Sequence, residues 1–225
     1  MDDVLVVCDR PGEGIARLTL NRPDKKNALS IALRDEVSDQ LDHLGDDEAV
    51  KVVVLTGAGD TFSAGFDLKE FTAEDPVVQA ALWPSSDRFH HTLLRFPLPT
   101  VAAVNGPALA GGFDLAVLCD VRLAAGSAVF AHPEHTFGDV VYAPLHDLVG
   151  GAVARDLCFT GRSMDAAEAL RTGLVSRVVP DADLEAAALE VAAQIALAPR
   201  EALVRTKAKV VTRVAIATDT ATLDL

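Results

Sequence analysis

The sequence predicts one α/β domain that ends in a helical C-terminal part. A chain of 225 residues is the usual size for a single domain of this class, and half of its residues are hydrophobic, enough for a large core. Up to residue 180, short β-branched runs alternate with stretches of helical periodicity, and alanine-rich helical sequence follows. We therefore place the core in residues 1–180 and the helical region in residues 181–225 of the same domain.

Local patterns assign the individual elements. The turn sequence Pro11-Gly12-Glu13-Gly14 between two β-branched runs predicts a hairpin, and Ser30 is positioned to cap a helix whose apolar residues recur at helical spacing. Continuous apolar runs such as 51–56 are typical of buried parallel strands. The predicted strands are 4–7, 15–20, 51–56, 100–104, 121–125, 129–131 and 175–179. The predicted helices are 31–44, 77–96 with an interruption at Pro84, 111–119, 147–159, 165–172 and two within 183–215.

Charge and composition exclude several classes of protein. There are 20 Lys and Arg against 33 Asp and Glu, so the net charge is −13, with a pI near 4.7. This acidity disfavours binding to a nucleic-acid backbone, although a few local cations can still bind a polyanionic small molecule. Three cysteines without a CxxC pair fit a reducing compartment. The start Met-Asp-Asp lacks the basic region of a signal peptide, and the longest apolar stretch, 98–118, is broken by prolines, glycines and Asp114. We expect a soluble cytoplasmic protein.

Two glycine-containing loops follow two of the most buried strands. Residues 61–68 (TFSAGFDL) come after the run 51–56, and residues 105–114 (NGPALAGGFD) come after the run 100–104. Loops beyond the carboxyl ends of parallel strands are where α/β proteins place their sites. Glycine either permits a tight turn or leaves backbone N–H groups free to stabilise an anion. The occurrence of both loops favours the functional interpretation.

Four ordered segments carry a resemblance to a known family. They are Asn21-Arg22-Pro23…Asn27-Ala28-Leu29, Phe62–Leu68, Ala103–Gly106 with Ala110-Gly111-Gly112, and Thr160-Gly161-Arg162…Ala169…Gly173-Leu174-Val175. In this order and spacing the chain resembles the crotonase superfamily (enoyl-CoA hydratases and isomerases) from about residue 4 to about residue 210. The resemblance implies a spiral of ββα units, a helical C-terminal region that builds trimers or dimers of trimers, and acyl-CoA substrates.

The resemblance also implies roles for the residues of the glycine loops. The backbone N–H groups of Phe66 and Gly111 would form the oxyanion hole that stabilises a thioester enolate. Ala64, Asp67 and Leu68 would lie along coenzyme A, and Lys25 or Lys26 would lie near its phosphates. Coenzyme A enters as part of the substrate, and no separate cofactor is expected.

A pair of acidic residues is expected to perform the acid–base chemistry. By motif position, Asp114 and Glu134 match the two glutamates with which hydratases of this family hold a water. Asp114 is one methylene shorter, which retracts its carboxylate by about 1.5 Å. Two carboxyls in an apolar pocket have pKa values that move apart, giving one acid and one base. For Asp114, a charge partner at a helix N-terminus is an equally plausible role.

Other residues are weaker candidates for the site. Asp139 and Tyr142, in a stretch that departs from the hydratase pattern, are candidates for reaction-specific groups, although either can equally be a loop residue. Leu82, Trp83 and Phe89 are candidates for lining the acyl pocket. His132 and His135 flank Pro133-Glu134 but do not form a metal motif, so no metal is expected. His90 and His91 are expected at the surface or the edge of the core, and Cys119 and Cys158 as inert core thiols.

The favoured function is a lyase reaction, the hydration of a 2-enoyl-CoA to a 3-hydroxyacyl-CoA. A double-bond isomerase, which needs only Glu134, and a C–C bond hydrolase or decarboxylase are alternatives on the same scaffold. A non-catalytic relative that binds acyl-CoA or RNA is an alternative of another class, as is a hydrolase that uses Ser63 as nucleophile. The polar tail that ends at Leu225 lacks the final amphipathic helix of the family, which leaves pocket closure and oligomeric state open.

Overall fold

The computed structural model describes residues 4–214 and 220–225. Its strands are β1 (Val6–Gly12), β2 (Ile15–Leu20), β3 (Val52–Gly57), β4 (Thr100–Val104), β5 (Ala108–Leu109), β6 (Val121–Ala125), β7 (Val129–Ala131), β8 (Met164–Asp165) and β9 (Arg177–Val179). Its helices are α1 (Ile31–Asp46), α2 (Leu68–Phe71), α3 (Pro76–Arg95), α4 (Gly111–Leu118), α5 (Ala143–Thr160), α6 (Ala166–Thr172), α7 (Leu184–Ala196) and α8 (Arg200–Val214).

The main sheet has six strands in the order β1-β2-β3-β4-β6-β9. Only the β1–β2 hairpin is antiparallel, and the remaining neighbours pair in parallel. The continuous apolar runs of β3 and β4 have both faces covered, as parallel sheets require. Because β3 and β4 are adjacent and parallel, the loops that follow them leave the sheet at the same edge.

The two faces of this sheet support separate parts of the core. On one face α7 packs Leu184, Ala188 and Ala192 against residues such as Val52 and Val101. On the other face α1, α3 and α4 bury the larger cluster, and Ser30 caps α1 by accepting a hydrogen bond from the Leu33 amide at 3.2 Å. The buried stripe of α1 contains the apolar residues that its periodicity indicated.

A small second sheet, β5-β7-β8, connects the loop after β4 to the segment after β7. Strand β5 pairs in parallel with β7, and the Ala110 amide donates to the Ala131 carbonyl at 2.9 Å. The chain then leaves β7 into a single 3-10 turn, Pro133–Thr136. This sheet therefore brings the start of α4 next to the segment that carries Glu134.

Most predicted elements are confirmed, but the short elements α2, β5 and β8 were not predicted, β9 is shorter than predicted, and α3, α5 and β1 differ as follows. Helix α3 runs without a break through Pro84. Proline has no N–H to donate to the Ala80 carbonyl, and both residues lie on the exposed face of the helix, where water can replace the missing donor. Helix α5 begins at Ala143 rather than 147 and is kinked at Gly150, whose φ is +76°. Strand β1 is displaced to Val6–Gly12. The predicted end of the last helix, residue 215, lies outside the described residues.

The C-terminal region is attached to the sheet by a buried ion pair. Lys207 of α8 donates to both oxygens of Asp120, at 2.7 and 2.6 Å, and Asp120 also accepts from the Thr100 amide at the start of β4. Segment 220–225 packs on α3 and α5: the Thr222 amide donates to Asp87 of α3, and the amides of Tyr142 and Ala143 donate to a backbone oxygen of Leu225. Within residues 4–214 and 220–225, no helix has the length and apolar character that a membrane span needs.

Replacement of Lys207 tests this attachment. Lys207→Met leaves the mostly buried Asp120 carboxylate without its cation, so we expect the free energy of unfolding to fall by about 2–3 kcal/mol. Urea denaturation followed by circular dichroism measures the change. Lys209→Met removes an exposed lysine of the same helix and is the matched control. Equal stability of the two variants would contradict the role assigned to the ion pair.

Candidate active site

The two glycine loops are bonded to each other by their backbones. The amides of Phe62 and Ser63 donate to the Pro107 carbonyl, and the Leu109 amide donates back to the Ser63 carbonyl at 2.9 Å. Ser63 and Ala108 form an isolated parallel bridge. The loop after β3 and the loop after β4 therefore form one rigid unit beyond the edge of the main sheet.

Two glycines allow the loops to approach this closely. Gly65 has φ +83°, and a methyl group on it would lie 2.7 Å from the Leu109 carbonyl oxygen and 3.1 Å from the Gly111 nitrogen. A methyl group on Gly112 would collide with the Ser63 backbone. These contacts leave no room for a Cβ atom at either position, and at Gly65 the positive φ favours glycine as well.

The close approach places two unpaired amides side by side. Among the described residues, neither the Phe66 nitrogen nor the Gly111 nitrogen donates to another group. Gly111 is the first residue of α4, where the helix leaves its N–H groups without intrahelical acceptors and the helix dipole is positive. Two such donors can bind one anionic oxygen, the function that the sequence motifs indicated.

A buried arginine supports the Phe66 side of this pair. The Arg34 guanidinium lies 4.4 Å from the centre of the Phe66 ring and donates to the carbonyls of Leu29 and Leu82 at 2.8 and 3.0 Å. Burial lowers its pKa to about 10. Leu29 in turn donates its amide to the Gly65 carbonyl, so Arg34 connects α1, α3 and the first loop. Sequence analysis missed Arg34, although its place beside Leu33, at the edge of the apolar stripe of α1, was a usable signal.

Phe66 and Gly111 line a cavity of about 450 Å³ that Asp114 and Glu134, the two predicted acid–base residues, also line. The cavity is lined by Ala64, Phe66, Leu68, Phe71, Trp83, Ala110, Gly111, Asp114, Pro133, Glu134, Phe137, Gly138, Asp139, Val141 and Thr222. A larger, shallower depression between α1 and α3 contains none of these residues. The residues predicted for acid–base chemistry and for the oxyanion hole therefore meet in one cavity.

Asp114 and Glu134 both line this cavity, and each has a buried oxygen without a hydrogen-bond partner among the described residues. These oxygens are Asp114 Oδ1 and Glu134 Oε2. Asp114 is 5% exposed, and its burial, together with the charge of Glu134, raises its pKa to about 7. The charge of His132 acts in the opposite direction but is outweighed. The Asp114 carboxyl therefore gains and loses a proton near neutral pH.

Glu134 is held by its neighbour His132. The Nδ1 atom of His132 lies 2.9 Å from Glu134 Oε1, and its ring packs against Phe113 with centres 4.8 Å apart. Burial alone would lower the pKa of His132, but the hydrogen bond to Glu134 and the charges of Asp114 and Glu134 outweigh it, so the pKa is raised. Thus one oxygen of Glu134 is engaged by His132 and the other is free.

The residues predicted along coenzyme A divide into two groups. Ala64 and Leu68 line the cavity. Asp67 does not, because its carboxylate accepts from Arg22 at 2.9 Å and caps α2 through the Lys69 amide. Lys25 and Lys26 are exposed outside the cavity, and Lys26 pairs with Asp60 at 2.9 Å. A contact of either lysine with the phosphates of coenzyme A stays a prediction.

The weaker candidates also differ in position. Asp139 and Trp83 line the cavity, whereas the ring of Tyr142 packs against His146, with centres 5.5 Å apart, and does not line it. Leu82 and Phe89 are buried away from the cavity in the region of α3. Thr222, which no pattern in the sequence indicated, reaches the cavity from the C-terminal segment.

Several alternatives from the sequence lose their support. Ser63 Oγ is buried and bonds only to backbone groups, the Asn27 carbonyl and the Gly65 amide, which does not favour a nucleophilic serine. The expectation of a peripheral His90 is wrong, because its ring is fully buried and its pKa is lowered to about 4 by burial.

The two cysteines expected as inert core thiols are buried. Burial raises the pKa of Cys119 to about 12 and of Cys158 to about 11, as inert thiols require.

Metal binding is considered for the described part of the chain only. Within residues 4–214 and 220–225, no three His, Cys, Asp or Glu side chains come together as metal ligands would. His132 bonds to Glu134 through its side chain, and His135 bonds to the His132 carbonyl at 3.1 Å. Both histidines thus have protein partners, and the absence of a metal stays a prediction.

Substitution of Gly65 tests the close approach of the loops. Gly65→Ala combines strain at positive φ with a collision, whereas Gly173→Ala has a similar φ, +81°, and no neighbour within 4 Å. Strain is expected to lower the free energy of unfolding by about 1 kcal/mol in both variants. Overpacking is expected to lower it by a further ~1–3 kcal/mol in Gly65→Ala alone. Chemical denaturation measures the difference. Equal losses of unfolding free energy in the two variants would mean that the loops can move apart without any loss of stability.

Comparison with known proteins agrees with this geometry. A sequence model of the family described as enoyl-CoA hydratase/isomerase matches residues 10–225. A probable enoyl-CoA hydratase of Mycobacterium bovis is 42% identical over 171 residues, which cover 74% of this chain and 66% of the relative. A hydroxycinnamoyl-CoA hydratase-lyase of Pseudomonas fluorescens is 36% identical over 189 residues, covering 80% and 68%. The chain thus spans about two thirds of the length of these relatives.

Solved structures share the whole architecture. An enoyl-CoA hydratase from Bacillus anthracis superposes with a TM-score of 0.88 at 33% identity, over 95% of this chain and 85% of that one. A monofunctional enoyl-CoA isomerase from Mycobacterium smegmatis superposes with a TM-score of 0.82 at 35% identity, over 95% of both chains. The predicted crotonase-type fold is confirmed. The chain belongs to the enoyl-CoA hydratase/isomerase family of the crotonase superfamily.

Proposed function

We propose that this protein catalyses the reversible hydration of a 2-enoyl-CoA to a 3-hydroxyacyl-CoA. The observation that carries the proposal is that two carboxyl residues, Asp114 and Glu134, line one cavity together with Phe66 and Gly111, whose amides have no acceptor among the described residues. A reaction that needs a single base does not require Asp114. Burial disfavours the ionised form of this carboxyl, so its presence carries a cost in free energy that a one-base reaction does not explain.

The amides of Phe66 and Gly111 are proposed to bind the thioester oxygen. Addition of water to the double bond places negative charge on that oxygen in the enolate-like transition state. Each preorganised donor stabilises such charge by about 3–4 kcal/mol. Backbone amides do not titrate, so this stabilisation is independent of pH.

The two carboxyls are proposed to share one proton. In the hydration direction a carboxylate takes a proton from water, the hydroxide adds to C3, and the other carboxyl gives its proton to C2. The pair begins and ends with one proton in total, so the reaction is balanced and reversible. Because the pKa of Asp114 is raised to about 7, a one-proton pair is available near neutrality.

Apolar walls are proposed to hold the acyl group. Phe66, Phe71 and Phe137 line the cavity together with Trp83, the one tryptophan of the chain. The rings of Phe66 and Phe71 lie 6.1 and 6.4 Å from the Trp83 ring, so bound acyl groups meet an aromatic surface. Coenzyme A enters as part of the substrate. A homotrimer or dimer of trimers, the absence of a separate cofactor and a cytoplasmic location stay predictions.

Double-bond isomerisation is the second candidate. It requires one carboxylate to move a proton between two carbons, and Glu134 alone meets that requirement. The relative from Mycobacterium smegmatis is named as a monofunctional isomerase, which supports this alternative on the same scaffold. C–C bond cleavage ranks third, supported by Asp139 in the cavity and by a relative named as a hydratase-lyase.

A spectrophotometric assay separates these reactions. We expect purified protein to remove the enone absorbance of crotonyl-CoA and to leave a 3-enoyl-CoA unchanged. A rise in absorbance with the 3-enoyl-CoA alone would make the protein an isomerase. If neither changes, quenching of Trp83 fluorescence by crotonyl-CoA tests whether the protein binds the thioester without turning it over.

Neutral amide substitutions separate the roles of the carboxyls. We expect Glu134→Gln to abolish hydration and Asp114→Asn to lower kcat at least about hundredfold, while Trp83 quenching by crotonyl-CoA persists in both. An isomerase would also lose its activity in Glu134→Gln, but its kcat would fall only a few-fold in Asp114→Asn. Unchanged turnover in both variants would rule out the carboxylate pair.

The pH dependence of the rate gives an independent test. Asp114 must hold a proton in the one-proton pair, and the protonated fraction falls as the pH rises through about 7. We therefore expect kcat/KM for hydration to fall about tenfold per pH unit well above pH 7. In Asp114→Asn this alkaline limb should be lost from the residual activity. An unchanged limb in that variant would assign the titration to another group.

A further inference from the structure

His132 is a fully buried titratable residue with an incomplete set of partners. Its Nδ1 atom contacts Glu134, its ring packs against Phe113, and its Nε2 atom has no hydrogen-bond partner among the described residues. A buried polar atom without a partner costs more free energy than an apolar side chain of similar size. Packing alone therefore does not account for a histidine at this position.

The local backbone directs His132 toward Glu134. Strand β7 ends at Ala131, and Pro133 begins the 3-10 turn that follows. Because the chain turns at Pro133, the side chains on either side of it meet at 2.9 Å instead of pointing apart. The Ala110–Ala131 backbone bond fixes the same end of β7 to the start of α4. The pair is thereby held against the element that carries Asp114.

The hydrogen bond determines which atoms remain free. A carboxylate only accepts, so His132 must carry its proton on Nδ1 and donate it to Glu134 Oε1. Glu134 Oε2 is left without a partner, as is Asp114 Oδ1. A carboxylate held at one oxygen cannot rotate freely, so its second oxygen keeps one direction.

Other titratable groups face this pair from the elements packed around it. Asp114 faces it from α4, and its charge raises the pKa of His132. Cys158 lies near both carboxyls on α5, and its own pKa is raised to about 11 by burial first and by their charges second, so it stays a neutral thiol. His135, in the same turn, bonds to the His132 carbonyl. Asp114 and Glu134 are thus the groups whose charges raise the pKa of His132.

We propose that His132 is a positioning residue, which donates from Nδ1 to Glu134 Oε1 so that Oε2 is held as the proton-transferring atom. The inference rests on the proposed hydration, in which Glu134 is one of the two acid–base groups. His132 does not exchange a proton with the substrate. It restricts the orientation of the Glu134 carboxylate.

Three variants test the donor. His132→Leu removes the hydrogen bond, and we expect kcat for crotonyl-CoA hydration to fall about 10- to 100-fold with KM within about threefold. His132→Asn keeps a short N–H donor that does not titrate, so kcat should stay within about fivefold of the native value. His43→Asn, at an exposed site on α1, is the matched control and should leave kcat unchanged. Equal losses in His132→Leu and His132→Asn would overturn the proposal.

The pH profile separates positioning from a structural role. Native protein and His132→Asn should differ in the shape of the profile, because the titration of His132 is removed while the donor remains. A structural defect would lower the rate equally at every pH. Profiles of identical shape in the two proteins would overturn the coupling between His132 and the carboxyls.

Histidine NMR tests the contact without any substrate. In protein labelled with ¹⁵N-histidine, we expect His132 to carry its proton on Nδ1, and Glu134→Gln should shift its titration to lower pH. A proton on Nε2 alone, or a titration that Glu134→Gln leaves unchanged, would overturn the proposal. If the native protein hydrates no enoyl-CoA but these shifts are seen, the proposed function fails while the positioning of Glu134 stands.

Discussion

The contact between the loop after β3 and the loop after β4 is the constraint on which the rest of the site depends. Parallel pairing of β3 with β4 brings both loops to one edge, and Gly65 and Gly112 let their backbones meet without side chains between them. In this contact, neighbouring backbone groups of the two loops bond to each other, whereas the amides of Phe66 and Gly111 have no acceptor among the described residues. Backbone geometry thus leaves two amide donors without acceptors at the start of α4 and in the loop after β3, as the proposed anion-binding position requires.

Burial creates the acid–base properties of the site and lowers its stability. Asp114 lies inside an apolar helix, and its Oδ1 has none of the N–H or O–H donors that usually stabilise a carboxylate among the described residues. The protonated form is therefore favoured up to about pH 7, where a proton can be gained or lost easily. Glu134 has a donor in His132, so two carboxyls in one cavity have different surroundings and suit different roles.

Residues remote from the cavity hold these groups in place. Arg34 ties α1 and α3 to the Phe66 loop, and the β5–β7 pairing ties the start of α4 to the Glu134 segment. Neither connection touches the space that a substrate would occupy. Both limit the freedom of atoms that need positions accurate to a few tenths of an ångström for proton transfer.

Most strands, most helices, the two loops and the two acidic residues that line the cavity could be predicted from sequence patterns. Periodicity, turn residues and ordered motifs are local, so they can be recognised without the fold. Which candidates share the cavity depends on tertiary packing. The Asp67 carboxylate bonds to Arg22 and does not line the cavity, whereas Thr222, near the C-terminal end of the sequence, lines it. The partners of Arg34 and His132 likewise depended on contacts between distant segments, because burial and pKa are set by groups that packing brings together.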